Sequence, residues 1–335
     1  MKIDAPLFTA DLSEVPKLAR ELEDLGYDGI FSAETSHDPF FPLVIAAEHT
    51  TRLELATGIA LAFPRSPMHL AHIAWDIQAA SHGRFILGLG SQIKAHIEKR
   101  FSTPWSQPAA RMRELILAIR AIWESWNEGS KLDFRGDFYT HTLMTPFFSP
   151  GPNPHGNAQI FLAAVGEKMT EVAGEVADGL LVHGFTTERY LRDVTIPALE
   201  RGLGKAGRAR ADYTLSCPVF IITGATEEEM AQARFGVCQQ IAFYGSTPNY
   251  RPVLDMHGWG DLQGELNKLS KEGRWLEMGK LIDDDILDAF AVTGEPEQVP
   301  AMVLARYGDL IDRVSFYAPY HADRQRWADM IAKFR

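Results

Sequence analysis

The chain has 335 residues, 46% of them hydrophobic and 10% aromatic, with two cysteines and a formal net charge of −11. That acidic balance argues against nucleic acid or an anionic membrane as the main partner, because both demand a basic face. The length suits either two average domains or one α/β barrel, a fold that routinely exceeds about 200 residues as a single unit. Met1 to Phe8 is strand-like and lacks the charged and apolar regions of a leader, and no window reaches the roughly 18 apolar residues of a membrane helix. Cys217 and Cys238 match neither a disulfide framework nor a metal site. The chain is therefore expected to be a soluble, cytoplasmic enzyme acting on a small molecule, with reduced thiols and no metal.

Ile3 to Phe8 reads as a first strand, followed by a helix that Ser13 caps and Gly26 closes. Asp28 to Ala33 is a second strand, Pro42 to Thr51 a helix, Leu53 to Ala60 a third strand, and Pro67 to Ser81 another helix. Gly83 to Ser91, reading G-R-F-I-L-G-L-G-S, holds the fourth strand. Its apolar run has no polar interruption, as expected of a strand buried on both faces in a parallel sheet. Gly88 and Gly90 stand at its exit, where backbone without side chains lets a ring or a phosphate approach, or where a turn needs glycine for its dihedrals. A helix from Ala109 to Trp126 completes four repeats.

Gly129 to Asn157 breaks the rhythm with aromatic residues and the run S-P-G-P-N-P-H-G-N, which reads as a hairpin followed by an extended excursion. Ile160 to Ala164, Asp178 to His183, and Thr214 to Thr223 are strands five to seven, with a helix from about Lys168 to Val176 after the fifth. Thr226 and the acids Glu227 to Glu229 open a capped helix. Tyr244 to Phe290 is expected to be a second, irregular insertion with helical pieces such as Leu262 to Leu269. A helix near Pro296 to Tyr307, an eighth strand at Arg313 to Tyr317 and a final helix from Arg324 end the chain. Such alternation predicts a (β/α)8 TIM barrel in one domain, with insertions near 129–157 and 245–292. The rival, a doubly wound sheet, lacks its glycine fingerprint after the first strand, where F-T-A-D stands.

In a barrel the loops after the strands carry function. Glu34, His37 and Asp38, after the second strand, form the compact acid/base cluster on that rim, and a histidine between carboxylates can titrate near neutrality. The alternative is a helix cap with solvated charges ahead of Pro42. Gly166 precedes a helix start at Glu167, whose free backbone N–H groups suit an anion, although a simple glycine cap explains it as well. His183, Lys168 and Arg189 add nearby positive charge or are surface. The histidines of M-H-L-A-H are read as helix surface and core, and Trp75, Trp123 and Trp126 as core.

The ordered set T-G-I-A, R-S-P-M-H-L-A, G-R-F-I-L-G-L-G-S, D-F-R-G-D-F-Y, A-A-V-G and A-D-G-L-L-V-H resembles the bacterial luciferase-like superfamily over nearly the whole chain. A-E-T-S-H-D-P-F and A-A-V-G-E-K-M-T-E-V-A-G make it more similar to the branch using the deazaflavin coenzyme F420 than to the FMN-dependent monooxygenases. The resemblance implies a homodimeric barrel that transfers a hydride between F420 and a small organic substrate. It implies a non-proline cis peptide at Gly58–Ile59 behind the coenzyme ring, with Gly90, Ser91 and Gln92 near that ring. It places Gly166 and Glu167 at the coenzyme tail through backbone groups, and the nearby His183 is counted with them as a coenzyme contact for its charge. Many members carry histidine directly after an acidic residue beyond strand two; here Glu34 is followed by Thr35 and the histidine arrives at His37. His37 is thus the first choice of proton donor and Glu34 the second. An acidic residue found after the fourth strand in sugar-phosphate dehydrogenases of this type is Ile93 here, which speaks against glucose 6-phosphate. FMN-dependent two-component monooxygenation is the alternative chemistry, and a non-catalytic flavin-binding protein a third.

Overall fold

The structure, a computed structural model, describes residues 1–334. Strand β1 (Lys2–Pro6) leads through a 3-10 turn to α1 (Val15–Asp24), β2 (Gly29–Ser32), α2 (Phe40–His49), β3 (Glu54–Thr57), β4 (Ala60–Leu61), α3 (Pro67–Ala80) and β5 (Phe85–Gly90). After a short α4 (Lys94–Lys99) and a long α5 (Pro108–Glu128) come the hairpin strands β6 (Phe134–Arg135) and β7 (Thr140–His141). Then follow β8 (Gln159–Ala164), α6 (Glu167–Val176), β9 (Gly179–Val182), α7 (Glu188–Tyr190), a π-turn, α8 (Ile196–Lys205) and β10 (Thr214–Ile222). Helices α9 (Glu227–Gly245), α10 (Arg251–Met256), α11 (Gly260–Lys271), α12 (Trp275–Met278) and α13 (Asp284–Phe290) precede β11 (Ala291–Thr293). The chain ends in α14 (Val299–Tyr307), β12 (Arg313–Tyr317) and α15 (Arg324–Ala332). Counting β3 with β4 and β10 with β11, this is the strand and helix order of a (β/α)8 barrel.

Two compact units can be distinguished. One comprises Ala5–Leu181 and Ala198–Thr214. In it β2, β3, β5 and β8 pair side by side in parallel, and β4 pairs with β5. Every residue of β5 is buried, as its unbroken apolar run predicts. Arg84, just before β5, donates to the carbonyls of Ala47, Thr50, Leu53 and Ser81. It thereby satisfies the orphan carbonyls at the ends of α2 and α3 on the face opposite the strand exits. Trp123 and Trp126 are buried, and the half-buried Trp75 donates to the Gly151 carbonyl at 3.1 Å, holding the excursion. The expected hairpin is β6 with β7, and the Glu114 carboxylate of α5 accepts from the N–H groups of Asp137, Phe138 and Tyr139 across its turn.

The other unit comprises Met1–Asp4, Val182–Pro197 and the chain from Leu215 on. Here β12 lies between β1 and β10, and β11 extends the edge beside β10, all parallel. The Asp4 carboxylate and the Arg313 guanidinium form a buried pair across β1 and β12. The helix opened by Thr226 is α9, and the expected helical piece at Leu262 to Leu269 lies within α11; the second insertion is more regular than expected, because α10, α12 and α13 are helices as well. The physical reason is a shared apolar core. Val237, Ile241, Leu254, Leu266, Leu287 and Phe290 bury together against Phe220 and Ile222 of β10. Short helices with many polar residues are held by such packing and not by their own propensity. A smaller difference lies just before α1, where Asp11 caps the 3-10 turn Leu12–Glu14 by accepting the Ser13 N–H at 2.8 Å, and neither Ser13 nor any other side chain caps α1 itself.

Candidate active site

The third barrel strand is broken where the sequence led us to look. Between β3 and β4 the Gly58–Ile59 peptide is cis, and the backbone bulges there. The bulge is tied on both sides: the Gly58 N–H donates to Ser32 O at 2.8 Å, the Glu34 N–H to Ile59 O at 3.0 Å, and the Ala62 N–H to Gly90 O at 3.0 Å. A Cβ on Gly88 would run into the Thr57 carbonyl oxygen, and one on Gly90 into Ile59 Cδ1. These two glycines therefore make room for the bulge itself. Ile59 covers Gly90, so the packing of the bulge is by itself a reason for a glycine there.

Glu34 is an anchor. Its Oε2 accepts from the Leu61 N–H at 2.8 Å and from Arg65 Nη1 at 2.6 Å, and its side chain is only 6% exposed. Arg65 reaches with its other nitrogen to Asp38 Oδ2 at 2.9 Å, while Asp38 Oδ1, ahead of α2, accepts the Phe40 N–H at 2.9 Å. Arg65 also lies over the Phe40 ring, 5.4 Å from its centre. Arg100 donates to the Thr35 carbonyl. The loop that displays the exposed His37 is thus tied at residues 34, 35 and 38. The Glu34 carboxylate is thus committed to Leu61 and Arg65, whereas the His37 side chain is exposed. Sequence reasoning passed over Arg65, although a cation at a strand exit between two candidate acids was a signal that could have been used.

Beyond β5, Ser91 and Gln92 are half-buried, and Gln92 adopts φ 57°, a left-handed conformation that costs an ordinary residue roughly 1 kcal/mol. Its Oε1 turns back to accept the Ile93 N–H at 3.0 Å. At the start of α6, the Gly166 carbonyl accepts from Met169 and Thr170, and no atom lies within 4 Å of where a Cβ on Gly166 would stand. The first-turn N–H groups of Glu167 and Lys168 have no acceptor among the described residues. The Glu167 side chain itself points away into an exposed pair with Arg201 at 2.7 Å.

In the other unit, both ring nitrogens of His183 are engaged within that unit. Nδ1 accepts the Phe185 N–H at 3.0 Å, and Nε2 lies 3.1 Å from Tyr250 Oη. His183 is thus engaged through both ring nitrogens, one of them with Tyr250, a residue of the second insertion that no sequence pattern marked. Burial pushes its pKa down to about 4. The unfolded chain therefore binds a proton below about pH 6.5 that the folded chain refuses, so stability is expected to fall as pH drops from there toward 4, by roughly 3 kcal/mol in all. Urea midpoints of wild type and His183→Asn at pH 7.5 and pH 5 measure this. Equal pH slopes for the two proteins would remove His183 as the cause.

A (β/α)8 barrel with a pinned bulge in its third strand, a displayed histidine and an open helix start defines a particular class of barrel. The family described as luciferase-like monooxygenase matches residues 3–313, and the chain belongs to it. It is 53% identical over 314 residues to "Uncharacterized protein Rv1360" of Mycobacterium tuberculosis, covering 94% of this chain and 92% of that one. It is 26% identical over 322 residues to the 5,10-methylenetetrahydromethanopterin reductase of Archaeoglobus fulgidus, covering 93% and 91%. Among solved structures, the coenzyme F420-dependent tetrahydromethanopterin reductase from Methanopyrus kandleri superposes with a TM-score of 0.81 at 19% identity, covering 99% of this chain and 97% of that one. Among the described residues no helix is long and apolar enough to cross a membrane.

Proposed function

We propose that this chain is an oxidoreductase that uses coenzyme F420 to pass a hydride to or from a small organic molecule, with His37 moving the accompanying proton. The observation that carries the reading is the open start of α6, where Gly166 leaves space and the amides of Glu167 and Lys168 are free to receive an anionic coenzyme tail. The reductase names of one sequence relative and one structural neighbour support the same choice. When bound, the deazaflavin supplies the hydride chemistry. The chain's own groups orient and shield: Ile59, which covers Gly90, forms the wall for the ring with Gly58, Ser91 and Gln92, while Glu34 and Arg65 hold the loop that presents His37. A homodimer belongs to this reading, since Phe41 and Val44 stand 62% and 42% exposed on α2; light scattering tests it.

Fluorescence titration with F420 and with FMN tests the coenzyme. Quenching by F420 at micromolar concentration is expected. Binding of FMN without any response to F420 would overturn the proposal in favour of the monooxygenase chemistry named in the family's description. In a turnover screen of enones, alcohols and aldehydes, His37→Ala is expected to retain F420 affinity and lose about 100-fold in rate, the lower range for a proton-transfer group. An unchanged rate would return His37 to an ordinary loop residue.

A further inference from the structure

The loop after β9 and the second insertion assemble a cluster of polar rings in one unit. Besides its two hydrogen bonds, the His183 imidazole stacks on Tyr250, with centroids 4.5 Å apart and planes 22° apart. It meets Tyr244 edge-on at 4.7 Å and 81°. Tyr244 Oη lies 2.6 Å from Tyr317 Oη, at the end of β12.

Counting hydrogens fixes the direction of one bond in this cluster. An imidazole nitrogen that accepts an amide N–H carries no hydrogen, so Nδ1 of His183 is bare and the ring hydrogen sits on Nε2. The bond to Tyr250 therefore runs from Nε2–H into the phenol oxygen. The phenol's own hydrogen is not used by that bond, and no acceptor for it occurs among the described residues. A half-buried hydroxyl hydrogen without an acceptor is costly unless something outside the chain receives it.

The surroundings restrict what that acceptor is. Phe185 packs beside Tyr250 at 5.6 Å, and burial keeps the Tyr250 phenol neutral with its pKa pushed up to about 12. The neighbouring Arg251 is turned to Asp255 at 3.3 Å. A carboxylate or phosphate would find no counter-charge in this cluster, whereas a neutral oxygen on an apolar body suits aromatic walls and a single donor. We propose that Tyr250, oriented by His183, is a substrate-binding hydrogen-bond donor, and that the molecule it holds is an uncharged carbonyl compound or the corresponding alcohol. The identity of that molecule as a substrate rests on the oxidoreductase reading above; its binding does not.

The test uses the full chain without coenzyme and 4-(dimethylamino)cinnamaldehyde, whose absorption moves to longer wavelength when its carbonyl oxygen accepts a hydrogen bond. A saturable red shift is expected. Tyr250→Phe should abolish the shift and weaken binding about 5- to 10-fold, the worth of one neutral hydrogen bond. His183→Phe, which keeps a ring but removes Nε2–H, is the second variant and should diminish the shift; far-ultraviolet circular dichroism confirms that both fold. The carboxylate analogue, 4-(dimethylamino)cinnamate, should bind at least about 10-fold more weakly than the aldehyde. A red shift that survives Tyr250→Phe, no shift at all in wild type, or equal binding of aldehyde and carboxylate overturns the proposal. An intact, Tyr250-dependent shift in a protein that ignores F420 would instead overturn the coenzyme reading and leave this one standing.

Discussion

Gly88→Ala is expected to be among the most damaging single substitutions in this chain, destabilising it by about 3 kcal/mol or more. The added methyl would be driven into the Thr57 carbonyl oxygen, with Leu181 Cδ1 2.9 Å away on the other side. Neither neighbour can step aside easily. Thr57 Oγ1 donates to Gly88 O at 2.7 Å, and the bulge that follows is held by Ser32 and Glu34. Gly166→Ala provides the contrast. Its methyl meets nothing and its φ of −93° suits any residue, so stability should change by no more than about 0.5 kcal/mol, while F420 affinity falls. Urea midpoints and fluorescence titration of the two variants separate a glycine needed by the fold from one needed by a ligand. A Gly88→Ala protein as stable as wild type would sink the packing account.

The second large effect is expected from Arg65→Met. Methionine keeps an apolar stem over Phe40 but removes the guanidinium, leaving the Glu34 carboxylate in a largely buried position with only the Leu61 N–H and releasing Asp38. Breaking one side of a partly buried pair should cost about 2–3 kcal/mol, somewhat below the range for a fully buried one. Glu34→Gln in the same chain retains an acceptor for Leu61 without the charge, so the double variant should recover about 1–2 kcal/mol of that loss. Because the His37 loop loses two of its ties, turnover in the substrate screen should fall at least about 10-fold in Arg65→Met. Additive stability losses in the double-mutant cycle would show that Arg65 and Glu34 do not act as a pair.

How far the sequence could be read follows from the range of each interaction. The alternation of apolar strands with helices is local, and it placed β5, β8, β10 and β12 close to where they lie. The cis bond at Gly58–Ile59 was legible through the ordered motifs that the chain shares with its family. The meaning of Gly88 and Gly90 was not, because the atoms that forbid a side chain there belong to Thr57 and Ile59, some thirty residues earlier and on another strand. The second insertion read as irregular because its helices are short and polar outside a few apolar positions, and those positions acquire meaning only when packed on β10.

The sequence by itself determined the barrel order, the acidic balance and the family, and it singled out the loop after the second strand as the stretch to inspect. These depend on composition, period and motif, which survive without coordinates. Only the tertiary structure decided that Glu34 serves as an anchor while His37 is displayed, that Arg65 joins Glu34 to Asp38, and that His183 is spent on Tyr250. Each of those assignments turns on which lone pair or hydrogen is already taken by a group between 27 and 67 residues away in the chain, and sequence spacing carries no record of it.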